Sequence, residues 1–207
     1  VEIISADSRQ VYKHTPITTA QPSPDELRMF KHHFINELEL DEDFNAGEFG
    51  RKGRELIRDI FAAGKIPAVV GGSGLYINSL IYGFFELDES TTEKFILKQR
   101  DIRKELNERL EEEGLEVLIK ELKKVDPVTI SSMKEPTARR VIRALEVYYS
   151  TGLPISIHRK KKINIDFEPV IIGFNWNREE LYNRINERTK LMLKSGMIDE
   201  ISALKEK

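Results

Sequence analysis

Apolar residues follow two regimes in this chain, short continuous runs and stripes at helical spacing. Ile3-Ile4, continued by Ala6, opens the chain as a short buried strand, and Ile66-Pro67-Ala68-Val69-Val70 repeats that regime. A run without polar interruption is what a parallel strand covered on both faces requires. His32-His33-Phe34-Ile35 is a third, shorter strand candidate. Between these runs the spacing changes. From Glu48 to Ala63, Phe49, Leu56, Ile57, Ile60 and Phe61 fall on one helical stripe that stops at Gly64. Gly71-Gly72-Ser73-Gly74 turns the second apolar run into a helix through Leu75, Tyr76, Leu80 and Ile81. Lys13 to Pro24, rich in Thr and Pro, reads as a loop. Strand, helix, strand, Gly-rich turn and helix is the rhythm of an α/β fold with a parallel sheet.

From about Leu87 the rhythm becomes all-helical. Thr92 to Glu113 carries a seam of Phe95, Gln99, Ile102, Leu106 and Leu110, and a shorter helix follows with Leu115, Leu118, Ile119 and Leu122. Val125-Asp126-Pro127 starts another helix, with Pro in its first turn. A further one runs from Thr137 to Gly152, and residues 158–166, with Arg159-Lys160-Lys161-Lys162, read as a loop. The apolar run Pro169 to Trp176 predicts a return to the sheet. Asn177 with Glu180 then resembles a capping box for the next helix. The organisation expected is an α/β core in residues 1–86, a helical insertion in 87–165 and a return to the core in 166–207. The chain opens on a strand without Met and closes inside an unfinished helical pattern, Met197 to Leu204, so a longer protein is expected.

Composition narrows the classes. With 207 residues, 40% hydrophobic and 33% charged, the chain is an ordinary globular one. A formal net charge of −2 gives no general attraction to nucleic acid, so any such contact needs a local patch. The absence of cysteine excludes disulfides and thiolate metal sites. No apolar run approaches membrane-spanning length. A cytoplasmic monomer is expected.

Candidate chemistry gathers at few places. Asp7-Ser8-Arg9-Gln10 follows the first strand, at the end where ligands of parallel sheets bind. A plain capping role for Asp7-Ser8 is the competing reading. On the helix from Thr137, Val141, Ile142, Leu145, Tyr148 and Tyr149 span an arc of about 120°. Arg139, Arg140 and Arg143 share the opposite arc of about 100°, with no acid among them. Residues 135–162 hold seven Lys or Arg against two Glu, a net charge of +5. A solvated face competes with a phosphate-binding one. In the last long helix Arg188 projects into an apolar stripe of Leu181, Ile185 and Met192, with Arg184 at its edge. Such a guanidinium requires an anion, either an internal carboxylate or a phosphate ligand. His32 and His33 lack metal-site spacing, and no Gly-x-x-x-x-Gly-Lys-[Ser/Thr] loop is present.

Taken in order, Ile-Ile-Ser-Ala-Asp-Ser-Arg-Gln-Val-Tyr, Thr19-Ala20-Gln21-Pro22, His32-His33, Val-Gly-Gly-Ser-Gly-Leu-Tyr, Arg-Arg-Val-Ile-Arg-Ala-Leu-Glu-Val and Arg-Ile-Asn-Glu-Arg resemble the tRNA dimethylallyltransferases, or tRNA isopentenyltransferases. The resemblance runs from Ile3 to about Leu204. It implies a P-loop NTPase-like parallel sheet with helices on both faces and a helical insertion that grips the anticodon arm of tRNA. It implies transfer of a dimethylallyl group from dimethylallyl diphosphate to N6 of the adenosine 3′ to the anticodon. Asp7 matches the family's general base, and Asp7 to Gln10 a segment touching the target nucleotide. Ser73 stands where Thr is usual, beside the reacting base. Arg103, with poor local similarity, and Arg139, Arg140, Val141, Ile142 and Arg143 match tRNA-contacting positions. Arg188 matches a diphosphate-holding arginine, with Arg184 as its neighbour. Thr18 replaces a usual Gly and Gln21 a usual Lys. The family's phosphate loop, with its Mg²⁺-linked hydroxyl, would precede Val1, so no metal ligand is expected within this chain and the chain alone should be poorly active. A nucleotide kinase of similar fold and a non-catalytic tRNA-binding fragment are the rival readings.

Overall fold

The computed structural model describes residues 1–83, 93–160 and 163–205, except for the side chains of 93–97. In chain order the first elements are β1 (Glu2–Ser5), α1 (Pro24–Met29), β2 (His32–His33), α2 (Ala46–Ala62), β3 (Pro67–Val70) and α3 (Gly74–Tyr82). Then come α4 (Glu93–Glu113), α5 (Leu115–Val125), α6 (Pro127–Ser132), α7 (Ala138–Thr151), α8 (Ile155–His158), α9 (Arg178–Lys194) and α10 (Met197–Lys205). They form two compact units, Val1–Phe84 with Asn164–Lys207, and Phe85–Ile163. The boundary at Leu87, the Phe95 side chain and Lys161-Lys162 lie outside the described residues.

The first unit is α/β. Its three strands are parallel in the order β2-β1-β3, with Ile4 opposite His33 on one side and Val69 on the other. Central Ile4 is fully buried, and Phe49, Ile57 and Ile60 of α2 with Tyr76 and Leu80 of α3 complete its core. Phe34, Phe44, Phe49 and Tyr76 form an aromatic cluster in which Phe49 and Tyr76 stack at 4.5 Å between centroids. Gly50 lets α2 and α3 close together, since a Cβ there would overlap Ser79. Asn45 caps α2 by accepting the Gly47 and Glu48 amides.

Several expectations change. Phe61 is 51% exposed and leaves the stripe to Ile57 and Ile60. A helix, α1, begins at the end of the presumed loop. It is all exposed, so it has no stripe to read, but Ser23 and Glu26 form a capping box with Pro24 in the first turn. The strand β3 is less covered than its apolar run suggests, because none of its residues is fully buried and Val70 is 59% exposed. The run at 169–176 is not a strand; Val170, Ile172 and Phe174 are 86%, 77% and 86% exposed. A strand exists only where a neighbour takes its backbone hydrogen bonds, and among the described residues none pairs with this run. Asn177 caps α9 through the Glu179 amide, without a reciprocal Glu180 bond among those described. Neither α9 nor α10 contains a buried residue, so Arg188 lies on an exposed helix and not within a buried apolar stripe.

Among the described residues the regular elements of the second unit are all helices. Leu106 of α4, Leu118 and Leu122 of α5, and Val141, Leu145 and Val147 of α7 make its core. Gly152, at φ 74°, ends α7 in the left-handed region. The helix α8 was hidden to sequence reading by its single turn. Buried Asp126 caps α6 through the Thr129 amide and accepts Ser156 N–H from α8. Burial opposes its charge, but these hydrogen bonds prevail and hold its carboxyl below the usual range.

Candidate active site

The ends of β1 and β3 are laced together. Ala6 N–H donates to the Val70 carbonyl at 2.7 Å, and Ser73 N–H donates to the Ala6 carbonyl at 3.0 Å. Gly71 lies so close to Ala6 that a Cβ would overlap its carbonyl. The turn leaving β1 is then held twice more. Ser8 N–H donates to Ser73 Oγ at 3.1 Å, and Arg9 N–H donates to Asp7 Oδ1 at 2.8 Å. The capping reading therefore holds for one oxygen of Asp7. Among the described residues no hydrogen bond reaches Oδ2, which is left able to take a proton.

Asp7 borders a cavity of about 450 Å³, a size suited to a small ligand. Arg9 and Tyr12 line it from the same turn, Thr15, Thr18 and Thr19 from the following loop, and Arg188 from α9. The lining thus brings two arginines and four hydroxyl-bearing residues to the cavity that Asp7 borders, a composition chemically suited to an anionic ligand. Thr18 Oγ1 is buried and, among the described residues, unpartnered. Burial pushes the nearby Tyr76 phenol up to about 12, and its O–H donates to the Phe44 carbonyl. That phenol stays neutral and offers no base at neutral pH.

The other sequence candidates divide. Ser73 and Ser8 shape the turn but do not line the cavity. Gln10 turns inward: its Nε2 donates to the Thr19 and Ala20 carbonyls, and its Oε1 accepts from Ser5 Oγ at 2.8 Å. Its side chain fastens the loop, as does Gln21, which donates to the Gln10 and Tyr12 carbonyls. Arg184 stacks on Trp176 at 4.4 Å and is not part of the cavity wall. Thr15, Thr18, Thr19 and Leu40 were not singled out as site residues. Two of them carried a signal, Thr18 as a departure from the family pattern and Thr19 as the first residue of a family-like motif.

In the helical unit, Val141 and Ile142 are 0% and 6% exposed, so as core residues their side chains are unavailable to a ligand. Arg143 is not on an acid-free face. Its Nη1 donates to Glu146 Oε1 at 2.9 Å, and Arg103 donates to the same carboxylate at 3.0–3.1 Å. Glu146 falls just outside the arginine arc of the helical projection, and it is 1% exposed. A carboxylate so buried needs such partners. Arg139 and Arg140 are exposed and form no ion pair among the described residues.

Comparison with known proteins agrees with these motifs. Residues 10–207 match the family model described as IPP transferase. The chain is 42% identical over 200 residues to the tRNA dimethylallyltransferase of Salinibacter ruber, covering 97% of this chain and 59% of that protein. It is 42% identical to the enzyme of that name from Acetivibrio thermocellus, covering 99% and 64%. Among solved structures, a eukaryotic dimethylallyltransferase described as acting on tRNA matches with TM-score 0.79 and 33% identity, over 99% of this chain and 49% of that one. The tRNA isopentenylpyrophosphate transferase of Bacillus halodurans matches with TM-score 0.60 and 34% identity, over 99% and 61%. The chain thus spans about three fifths of the length of the curated relatives it matches.

Proposed function

The chain belongs to the IPP transferase family, and from that premise we propose that the protein transfers a dimethylallyl group from its diphosphate to the N6 amine of the adenosine 3′ to the anticodon of tRNA. The observation that carries this reading is that Asp7 and Arg188, far apart in the chain, line one cavity, a carboxylate able to act as base together with a cation able to hold an anion. The adenine amine is a weak nucleophile. As its nitrogen bonds to the allylic carbon and the carbon–oxygen bond to diphosphate breaks, Asp7 Oδ2 accepts the amine proton. Arg188, with Arg9 nearby, offsets the charge that develops on the departing diphosphate. Ser73 acts in this reading through the turn it holds, its Oγ accepting the Ser8 amide next to Asp7. The target base must leave its stack to reach Asp7. Arg139 and Arg140, with Arg103 and Arg143 partly neutralised by Glu146, supply phosphate contacts on the helical unit.

Magnesium would assist by neutralising the diphosphate. Among the described residues no group of three His, Asp or Glu could hold the ion, and no step here depends on it. Among the described residues no helix is long and apolar enough to cross a membrane.

Full-length protein incubated with dimethylallyl diphosphate and unmodified tRNA should yield N6-dimethylallyl adenosine by nucleoside mass spectrometry. Absence of the product with folded wild-type protein overturns the reading.

A further inference from the structure

Glu200, on α10, reaches across to the loop that lines the cavity. Its Oε2 accepts the Ile17 amide at 2.9 Å and its Oε1 the Thr18 amide at 2.7 Å. One carboxylate thus holds two successive main-chain donors, and hydrogen bonds to an ionised group are the strong ones. Nothing comparable ties the rest of the helical pair down. Neither α9 nor α10 has a buried residue, and among the described residues no other hydrogen bond or ion pair joins either helix to the sheet or its loops. The bonded loop continues into the Thr19 and Ala20 carbonyls, which Gln10 holds, and Gln10 in turn holds Ser5 at the end of β1. A chain of hydrogen bonds therefore runs from α10 to the strand end that carries Asp7. Arg188 lies on the helix before α10 and lines the same cavity as Asp7.

The geometry points to Glu200 as a positioning residue that sets the reach of Arg188 toward the anion held opposite Asp7. This rests on the proposed transfer reaction. Glu200 touches no substrate; it acts through the loop at Ile17-Thr18 and through the placement of α9. Replacing it by Gln keeps the shape but leaves one acceptor for two amides and removes the charge.

The test uses full-length protein in wild-type, Glu200→Gln, Arg188→Ala and doubly substituted forms. Inorganic diphosphate binding is followed by calorimetry, and KM and kcat for dimethylallyl diphosphate are measured in parallel. Glu200→Gln should weaken diphosphate binding about tenfold and raise KM by a similar factor, with tRNA affinity within about twofold of wild type. The double variant should bind no more weakly than Arg188→Ala alone, the non-additivity expected of residues acting through one another. A Glu200→Gln protein with unchanged diphosphate affinity, or with losses that simply add to those of Arg188→Ala, overturns the positioning role while leaving the reaction intact. Wild-type protein that neither binds diphosphate nor modifies tRNA overturns the reaction itself, and with it this role.

Discussion

The hydroxyl oxygen of Ser73 accepts the backbone N–H of Ser8 at 3.1 Å, so the turn after β3 holds the turn after β1. Ser73→Ala leaves that half-buried amide without its partner. A loss of about 1 kcal/mol in stability is expected, with a turnover loss beyond it. Ser73→Thr keeps the hydroxyl and should stay near wild type. Chemical denaturation and single-turnover kinetics on the two variants give the comparison.

Asp7→Asn retains an Oδ1 for the Arg9 amide but takes no proton. Turnover should drop by about 10²–10⁴, with tRNA affinity and the unfolding midpoint unchanged. Single-turnover rates and filter binding read the two effects separately. An equal loss in binding and turnover would assign Asp7 to recognition instead.

Gly71→Ala places a methyl against the Ala6 carbonyl, one residue before Asp7. The expected cost is about 1–3 kcal/mol, because a backbone carbonyl at a strand end has little room to move. Urea unfolding measures it, and a neutral result would mean that the strand ends are free to part.

Arg139 and Arg140 should behave differently from the arginines on Glu146. Neutralising the exposed pair should leave stability within about 0.5 kcal/mol and flatten the salt dependence of tRNA binding. Glu146→Ala removes the buried carboxylate shared by Arg103 and Arg143 and should destabilise by about 1–2 kcal/mol through lost hydrogen bonds and packing, since the arginines it leaves are exposed enough to be solvated. Salt titrations of binding and thermal unfolding distinguish the two groups.

Acid stability should depend on Glu2. Lys65 at 2.7 Å, then His33 at 2.6 Å, hold the buried Glu2 carboxyl down from 4.5 to about 2, with Lys31 adding to the field. A folded value below the unfolded one contributes stability that is fully present above about pH 4.5 and is lost as pH falls toward 2. Glu2→Gln should therefore flatten that limb of the stability profile, as followed by circular dichroism. An unchanged limb would assign the acid sensitivity elsewhere.

Helices with a buried stripe were legible from local spacing. Phe49, Ile57 and Ile60 recur on one face of α2, and Val141 and Leu145 on one face of α7, because burial of a helix face imposes its period on the residues. The turn at Asp7-Ser8 was legible for a related reason: polar groups follow an apolar strand abruptly there. Caps without stripes, such as Ser23-Glu26, were passed over. The apolar run at 169–176 was misread because strand formation depends on a neighbour that the run itself does not encode. Composition and helical projection equally marked Arg143 as a free cation, yet Glu146 claims it together with Arg103 from another helix. The same limit hid Glu200. A carboxylate on an exposed helix looks like any other, and only the chain's path brings it onto the amides of Ile17 and Thr18. Sequence period decides what a segment buries, whereas the pairing of charges and amides between segments is long-range and belongs to the tertiary structure alone.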